Sequence, residues 1–220
     1  MKQHSHDHNH SPDPQTEGIV IHWAGMYEFM VNRLFGHRSR RMRLAALPLA
    51  GIRPGSVILD FGCGAGDLAF ETERLIQGQN EIFGIDPSPE MISAAKGKAA
   101  KRKSKAQFQV EAVEKMSFPN NTFDYVISSF VLHHLPYDLQ TKAFKELKRV
   151  LKPKGLFFAI DMRNSKSFSH RIHARLQGAT PHSHDGLNAA AEKLRAAGFR
   201  EVAVEETASR DVGFLRGVKP

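Results

Sequence analysis

From Val57 onward the chain alternates short apolar, β-branched runs with longer stretches in which apolar residues recur every three to four positions. The short runs suit strands buried in a sheet; the longer spacing suits helices with one face in a core. The pattern predicts strands at 57–61, 81–86, 107–111, 123–129, 155–161, 200–206 and 212–218, with helices at 66–77, 88–103, 138–151 and 186–197. Such alternation implies an α/β fold with a doubly wound, seven-stranded, mostly parallel sheet covered on both faces. Only a short connection separates the last two strands, which predicts an antiparallel hairpin at the C-terminal edge.

Upstream, residues 1–18 are polar, with His4, His6, His8 and His10 alternating, and read as a disordered tail. Trp23, Met26, Tyr27, Met30, Leu34 and Phe35 fall at helical spacing over 23–35, and a second helical stretch over 39–50 ends at Gly51 and Pro54. Residues 162–185 break the alternation, and a long irregular insert after a strand C-terminus suits a lid. The expected organisation is therefore one domain over 19–220, with a helical cover at 19–52 and a lid insert at 162–185.

Charge changes this picture little. The 220 residues carry 31 Lys and Arg against 23 Asp and Glu, a formal net charge of +8. Lys96, Lys98, Lys101, Arg102, Lys103 and Lys105 crowd one predicted helix end, and Arg33, Arg38, Arg40, Arg41 and Arg43 crowd another segment. Such clusters attract nucleic acid or anionic surfaces. Without interleaved aromatics to stack bases, they read better as solvated helix faces. No apolar run approaches the ~18 residues of a membrane span, and the polar N-terminus does not look like a secretory signal. Cys63 is the only cysteine, which excludes an intrachain disulfide and a multi-cysteine zinc site and leads us to expect a cytoplasmic protein.

The densest chemical signal is Val57-Ile58-Leu59-Asp60-Phe61-Gly62-Cys63-Gly64-Ala65-Gly66-Asp67-Leu68. A strand ending in an acid turns through alternate glycines into a helix, which leaves room for a ligand over the bend. The dinucleotide fingerprint would put a third glycine at position 67. Asp67 stands there instead, and a carboxylate at a helix N-terminus repels a pyrophosphate. A phosphate-free, positively charged ligand avoids that repulsion. The second strand ends in Asp86, 20 residues beyond Gly66, where an acid can accept hydrogen bonds from both ribose hydroxyls or simply cap the helix opened by Ser88-Pro89-Glu90-Met91.

Further on, the segment from Glu111-Ala112-Val113 to Ser128 leads through a turn into an apolar strand. Arg149-Val150-Leu151-Lys152-Pro153-Lys154-Gly155-Leu156-Phe157 then closes a helix with a Pro-Gly turn and opens another strand. With these blocks in this order, the chain resembles the Rossmann-like class I S-adenosylmethionine (SAM)-dependent methyltransferases. Within them it is most similar to the ubiquinone and menaquinone C-methyltransferases and their uncharacterised relatives. The resemblance covers roughly residues 20–220 and is stronger in the cofactor half. The insert between the fifth strand and the last helix looks shorter than in that group, and because such inserts shape the substrate pocket the resemblance does not carry the substrate with it.

The resemblance implies SAM as cofactor, S-adenosylhomocysteine as product and no metal requirement for the reaction. By position, Asp60 orients the methionine amino group, while Gly62, Cys63, Gly64 and Gly66 pass beneath the cofactor. Asp86 holds the ribose, flanked by Pro87 and Met91. Ala112 and Val113 frame the adenine with Glu111 favoured as partner of its exocyclic amine, and Ser128 and Ser129 lie near the methyl group.

The implied activity is in-line methyl transfer to a small organic acceptor, with Trp23, Met26, Tyr27 and Met30 either lining its pocket or forming an ordinary core face. His133 and His134 are candidate bases where the acceptor must lose a proton, with loop packing as the competing reading. Ser128-Ser129-Phe130-Val131 lacks the Asn/Asp-Pro-Pro-aromatic motif of amino-adenine methyltransferases, and one cysteine is too few for arsenite chemistry. His4, His6, His8 and His10 could bind Zn²⁺, Ni²⁺ or Cu²⁺, and His170, His173, His182 and His184 fall in the lid. A metal-scavenging tail and surface-loop histidines are the plainer readings. Alternatives are methyl transfer to RNA or protein, and a non-catalytic regulatory protein that binds SAM or metal. Expected partners are a small-molecule acceptor and a second copy in a homodimer; nucleic acid is disfavoured.

Overall fold

The computed structural model describes residues 37–163, 186–206 and 212–220. The helix expected at 23–35, the tail histidines His4, His6, His8 and His10, and the lid histidines His170, His173, His182 and His184 lie outside these residues. The described strands are β1 Val57–Phe61, β2 Glu81–Asp86, β3 Gln107–Val110, β4 Phe123–Ser129, β5 Leu151–Met162, β6 Arg200–Glu206 and β7 Val212–Val218. The α-helices are α1 His37–Ala46, α2 Asp67–Leu75, α3 Pro89–Arg102, α4 Tyr137–Val150 and α5 Gly186–Ala196.

The strands form one sheet in the order β3-β2-β1-β4-β5-β7-β6. The pairs β1–β2, β1–β4, β2–β3 and β4–β5 are parallel, whereas β7 runs antiparallel to both β5 and β6. The expected hairpin is present, but its second strand is the inner one. Successive residues on the central strands feed opposite faces, as the period of two requires. Leu59, Val126 and Phe157 pack toward α4 and α5, and Ile58, Ile127 and Phe158 pack toward α1, α2 and α3. Helix α4 supplies Leu139, Ala143, Phe144, Leu147 and Val150 as a buried stripe. No helix of the described residues is long and apolar enough to cross a membrane.

Two boundaries differ from the sequence reading by more than two residues. The helix expected over 39–50 is α-helical only to Ala46, after which Leu47–Ala50 tightens into a 3-10 turn closed by Gly51 at φ 59°. Pro48 lacks the N–H that a continuing α-helix would bond. Strand β5 begins at Leu151, which pairs with Phe123; pairing resumes at Tyr125–Leu156 beyond the Pro153–Gly155 irregularity.

Strand order reverses between β1 and β4, so the connections that leave their C-terminal ends run to opposite sides and open the crevice where open α/β sheets hold ligands. Asp60, Asp86, Ser128 and Asp161 all lie at this edge.

Candidate active site

Asp86 gathers the loops that follow three strands. Its Oδ2 accepts from Gly64 N at 2.9 Å, its Oδ1 from Ser88 N at 2.9 Å, and its carbonyl from Glu111 N at 3.1 Å. Burial raises the pKa of its carboxyl, against the pull of those two side-chain-bound N–H groups. Cys63 N donates to Ile85 O and Gly66 N to Cys63 O, both at 2.9 Å, which fixes the bend after β1. Ser88 caps α3, its Oγ accepting from Met91 N at 3.3 Å. Pro87 is half-buried at this turn, while Met91 is buried against Ala65.

The three glycines of the motif are not equivalent. A Cβ at Gly62 would lie 2.5 Å from Val131 Cγ2, and one at Gly66 would lie 2.8 Å from Phe70 and 2.9 Å from Phe108. A Cβ at Gly64 would meet nothing within 4 Å. Gly62 and Gly66 let protein side chains close over the loop, and Gly64 alone presents bare backbone to open space.

Asp60 is buried at the end of β1. Its Oδ2 accepts from Ala69 N at 3.1 Å, and its Oδ1 is buried without a partner. Burial pushes its pKa up to about 8, with Arg43 opposing and Asp86 and Asp67 adding to the rise. On the adjacent β4, Ser128 Oγ is likewise buried without a partner. A buried polar atom left unpaired costs about 1–3 kcal/mol, so this pair marks a place where a polar ligand group belongs. An ammonium suits Asp60, and the methionine moiety of SAM carries one.

Asp67 is not the bare charge its position suggests. Lys98 Nζ lies 3.2 Å from Oδ1 and Arg43 lies 3.4 Å from Oδ2. The repulsion argued from Asp67 against a pyrophosphate is therefore largely neutralised. Arg40 likewise pairs with Glu71 at 2.8 Å, so part of the basic cluster of α1 ties that helix to α2.

Around the expected adenine position, Ala112 and Val113 are buried. The Glu111 carboxylate, however, folds back on Ser117, accepting from both its hydroxyl and its N–H. The structure thus commits Glu111 to the following turn. Cys63 is buried, and burial holds its thiol well above the ordinary range, as suits a small residue packed in the loop.

His133 sits in a 3-10 turn, Leu132–His134, after β4. Its Nδ1 lies 2.6 Å from Asp161 Oδ1, and its ring meets that of His134 at 3.9 Å between centroids. Asp161 is buried at the end of β5 and also accepts from Leu132 N at 2.7 Å and Met162 N at 2.6 Å. Sequence reasoning missed Asp161, Arg43 and Val131. Asp161 had a signal: Ala159-Ile160-Asp161 is a third apolar strand ending in an acid, after those ending in Asp60-Phe61 and Asp86. Among the described residues no group of acids, histidines and cysteine could hold a metal ion.

A family model described as a methyltransferase domain matches residues 58–155. Demethylmenaquinone methyltransferase of Staphylococcus aureus is 31% identical over 153 residues, which cover 70% of this chain and 62% of that protein. The chain therefore spans less than two thirds of the length of this curated relative. A SAM-dependent methyltransferase from Aquifex aeolicus superposes with a TM-score of 0.67 at 25% identity, covering 79% of this chain and 87% of its own. The fold also matches phosphoethanolamine N-methyltransferase 2 of Haemonchus contortus, solved with S-adenosylhomocysteine, at a TM-score of 0.68 and 20% identity over 82% and 52% of the two chains. With the strand-end acids, the bare loop at Gly64 and the sheet order in agreement, residues 58–155 form a methyltransferase domain, and the fold is similar to that of SAM-dependent methyltransferases.

Proposed function

We propose that this protein moves a methyl group from SAM to a small organic acceptor. The observation that carries the reading is the orphaned pair Asp60 Oδ1 and Ser128 Oγ, buried toward the C-terminal ends of the adjacent strands β1 and β4. Bound there, SAM would supply an electrophilic methyl on a sulfonium. The chain's part is to hold donor and acceptor in line. Asp60 receives the ammonium, and Asp86 accepts from the ribose hydroxyls through lone pairs not used by Gly64 and Ser88. Ala112 and Val113 frame the adenine, and Ser128 lies toward the methyl.

When the acceptor must lose a proton, His133 takes it. Asp161 faces Nδ1, and with the ring proton on Nδ1 the basic nitrogen of the ring is Nε2. The electrons of the broken acceptor–hydrogen bond stay on the acceptor as it bonds the methyl, and the broken carbon–sulfur pair stays on sulfur. Asp161→Asn is expected to lower kcat about 10- to 100-fold, less than the roughly 10²–10⁴-fold contribution of a general base because His133 itself remains. It should leave the Kd for S-adenosylhomocysteine within about threefold, since no cofactor contact is removed. Equal losses in kcat and cofactor affinity would reduce Asp161 to a scaffold.

Because the Staphylococcus aureus relative is named for demethylmenaquinone, a reduced naphthoquinone is the first acceptor to test. The experiment is calorimetric titration with SAM and S-adenosylhomocysteine, followed by transfer from methyl-labelled SAM to the quinol, to RNA and to protein. Binding of both nucleosides with label in the small molecule supports the proposal. Folded protein that binds neither refutes it.

A further inference from the structure

We infer that Gln140 of α4 is a positioning residue that seats the His133 ring on Asp161, and that Lys193 of α5 fixes the orientation in which Gln140 does so. This builds on the reading of His133 as the base, and it concerns two residues to which that reading gives no role.

The turn that carries His133 is imposed from outside itself. Phe130, just after β4, sits at φ 59°, a left-handed conformation that an aromatic residue rarely adopts. Such a bend persists where the surrounding structure over-determines it. Side chains from two other elements meet the turn Leu132–His134 that follows. Asp161 of β5 holds its entry, accepting from Leu132 N at 2.7 Å while its other oxygen faces His133 Nδ1. Gln140 holds its exit. The Gln140 Nε2 donates to Leu132 O at 2.8 Å and to Leu135 O at 3.2 Å, the carbonyls that bracket His133 and His134.

Gln140 is 7% exposed and stands beside the apolar stripe of α4. A methionine or leucine would fill that place without a polar atom to satisfy. What the amide adds is a fixed separation between α4 and the two carbonyls, and with it the height of the ring between them. A buried amide needs partners at both ends. The donor end of Gln140 goes to the turn, and its Oε1 accepts from Lys193 Nζ at 2.8 Å. An ammonium can only donate and a backbone carbonyl can only accept, so the amide fits one way round. Lys193 also lies over the Tyr137 ring, 3.5 Å from its centroid. Tyr137 and Gln140 are one helical turn apart, so one lysine on α5 engages both. The packing of α5 on α4 thereby reaches the His133 turn through a chain of hydrogen bonds.

The test reads the tautomer of the neutral His133 ring in the full chain, by two-bond nitrogen–proton correlation spectra at alkaline pH. Loss of the signal in His133→Gln identifies it. In the wild type the ring proton is expected on Nδ1. Gln140→Met should move about half or more of the ring population to the Nε2-protonated form, because the ring is no longer held against Asp161. Lys193→Met should move a smaller share in the same direction. Lys193→Arg still offers Oε1 a donor and should restore the wild-type spectrum. A Gln140 that serves only the fold predicts a lower melting temperature with the tautomer unchanged, and that result in folded Gln140→Met overturns the proposal. Should Gln140→Met not fold, the lysine variants decide, and identical spectra from Lys193→Met and Lys193→Arg overturn it. A wild-type ring protonated on Nε2 overturns the reading of His133 as a base oriented by Asp161; a failure confined to the variants overturns only Gln140 and Lys193.

Discussion

Asp86→Ala is expected to weaken S-adenosylhomocysteine binding by two to three orders of magnitude. Two ribose hydroxyls would lose a charged acceptor, and hydrogen bonds to charged groups are worth about 1.5–3 kcal/mol each. The carboxylate also holds the site's frame, since it ties Gly64 N in the glycine loop and Ser88 N at the start of α3. The variant should therefore also unfold at a lower temperature, by an amount thermal melts will measure. Asp86→Asn keeps one oxygen for one of these N–H groups but turns an N–H₂ donor toward the other, so it should fall between wild type and alanine. Titration calorimetry with S-adenosylhomocysteine checks the series. Affinity within threefold of wild type in folded Asp86→Ala would remove Asp86 from the ribose.

The second large effect is a pH dependence centred on Asp60. Desolvation of the carboxylate pushes its folded pKa up to about 8, far above the ordinary range of an aspartate. The fold therefore prefers the protonated form. The stability linked to that preference is fully present below about pH 4 and is lost as pH rises through the window up to about 8. The free protein should melt at progressively lower temperature across that window. Binding has the opposite trend, because a ligand ammonium stabilises the carboxylate and expels its proton. S-adenosylhomocysteine affinity should rise by up to about tenfold per pH unit from pH 6 toward 8 and level off beyond it. Asp60→Asn should bind weakly and flatten both profiles. Parallel profiles for wild type and Asp60→Asn would show that another group carries the titration.

The chain order alone exposed both of these acids. Both end an apolar run, and each was readable because strand periodicity and turn chemistry are local. Asp161 carries the same local signature. Its role depends on β5 lying beside β4, which brings it to His133 and Leu132 across 28 and 29 residues of chain. Arg43 reaches Asp67 across 24 residues, between helices whose packing no spacing rule encodes. The solvated-face reading of the basic clusters failed at Arg43 and Lys98 for the same reason. Glu111 was chosen by residue type and position, and nothing in its spacing announced the hydrogen bonds its carboxylate accepts from Ser117.

By itself, then, the sequence determined the elements, the glycine bend and the strand-end acids of a cofactor crevice, since each follows from side-chain period and backbone freedom within a few residues. The tertiary structure alone decided that Gly64 opens to solvent while Val131 and Phe108 close over Gly62 and Gly66. It alone decided that Asp67 is neutralised and that Asp60 waits with an unpaired oxygen. Burial and Coulomb interaction act through space, between residues that only the finished fold makes neighbours.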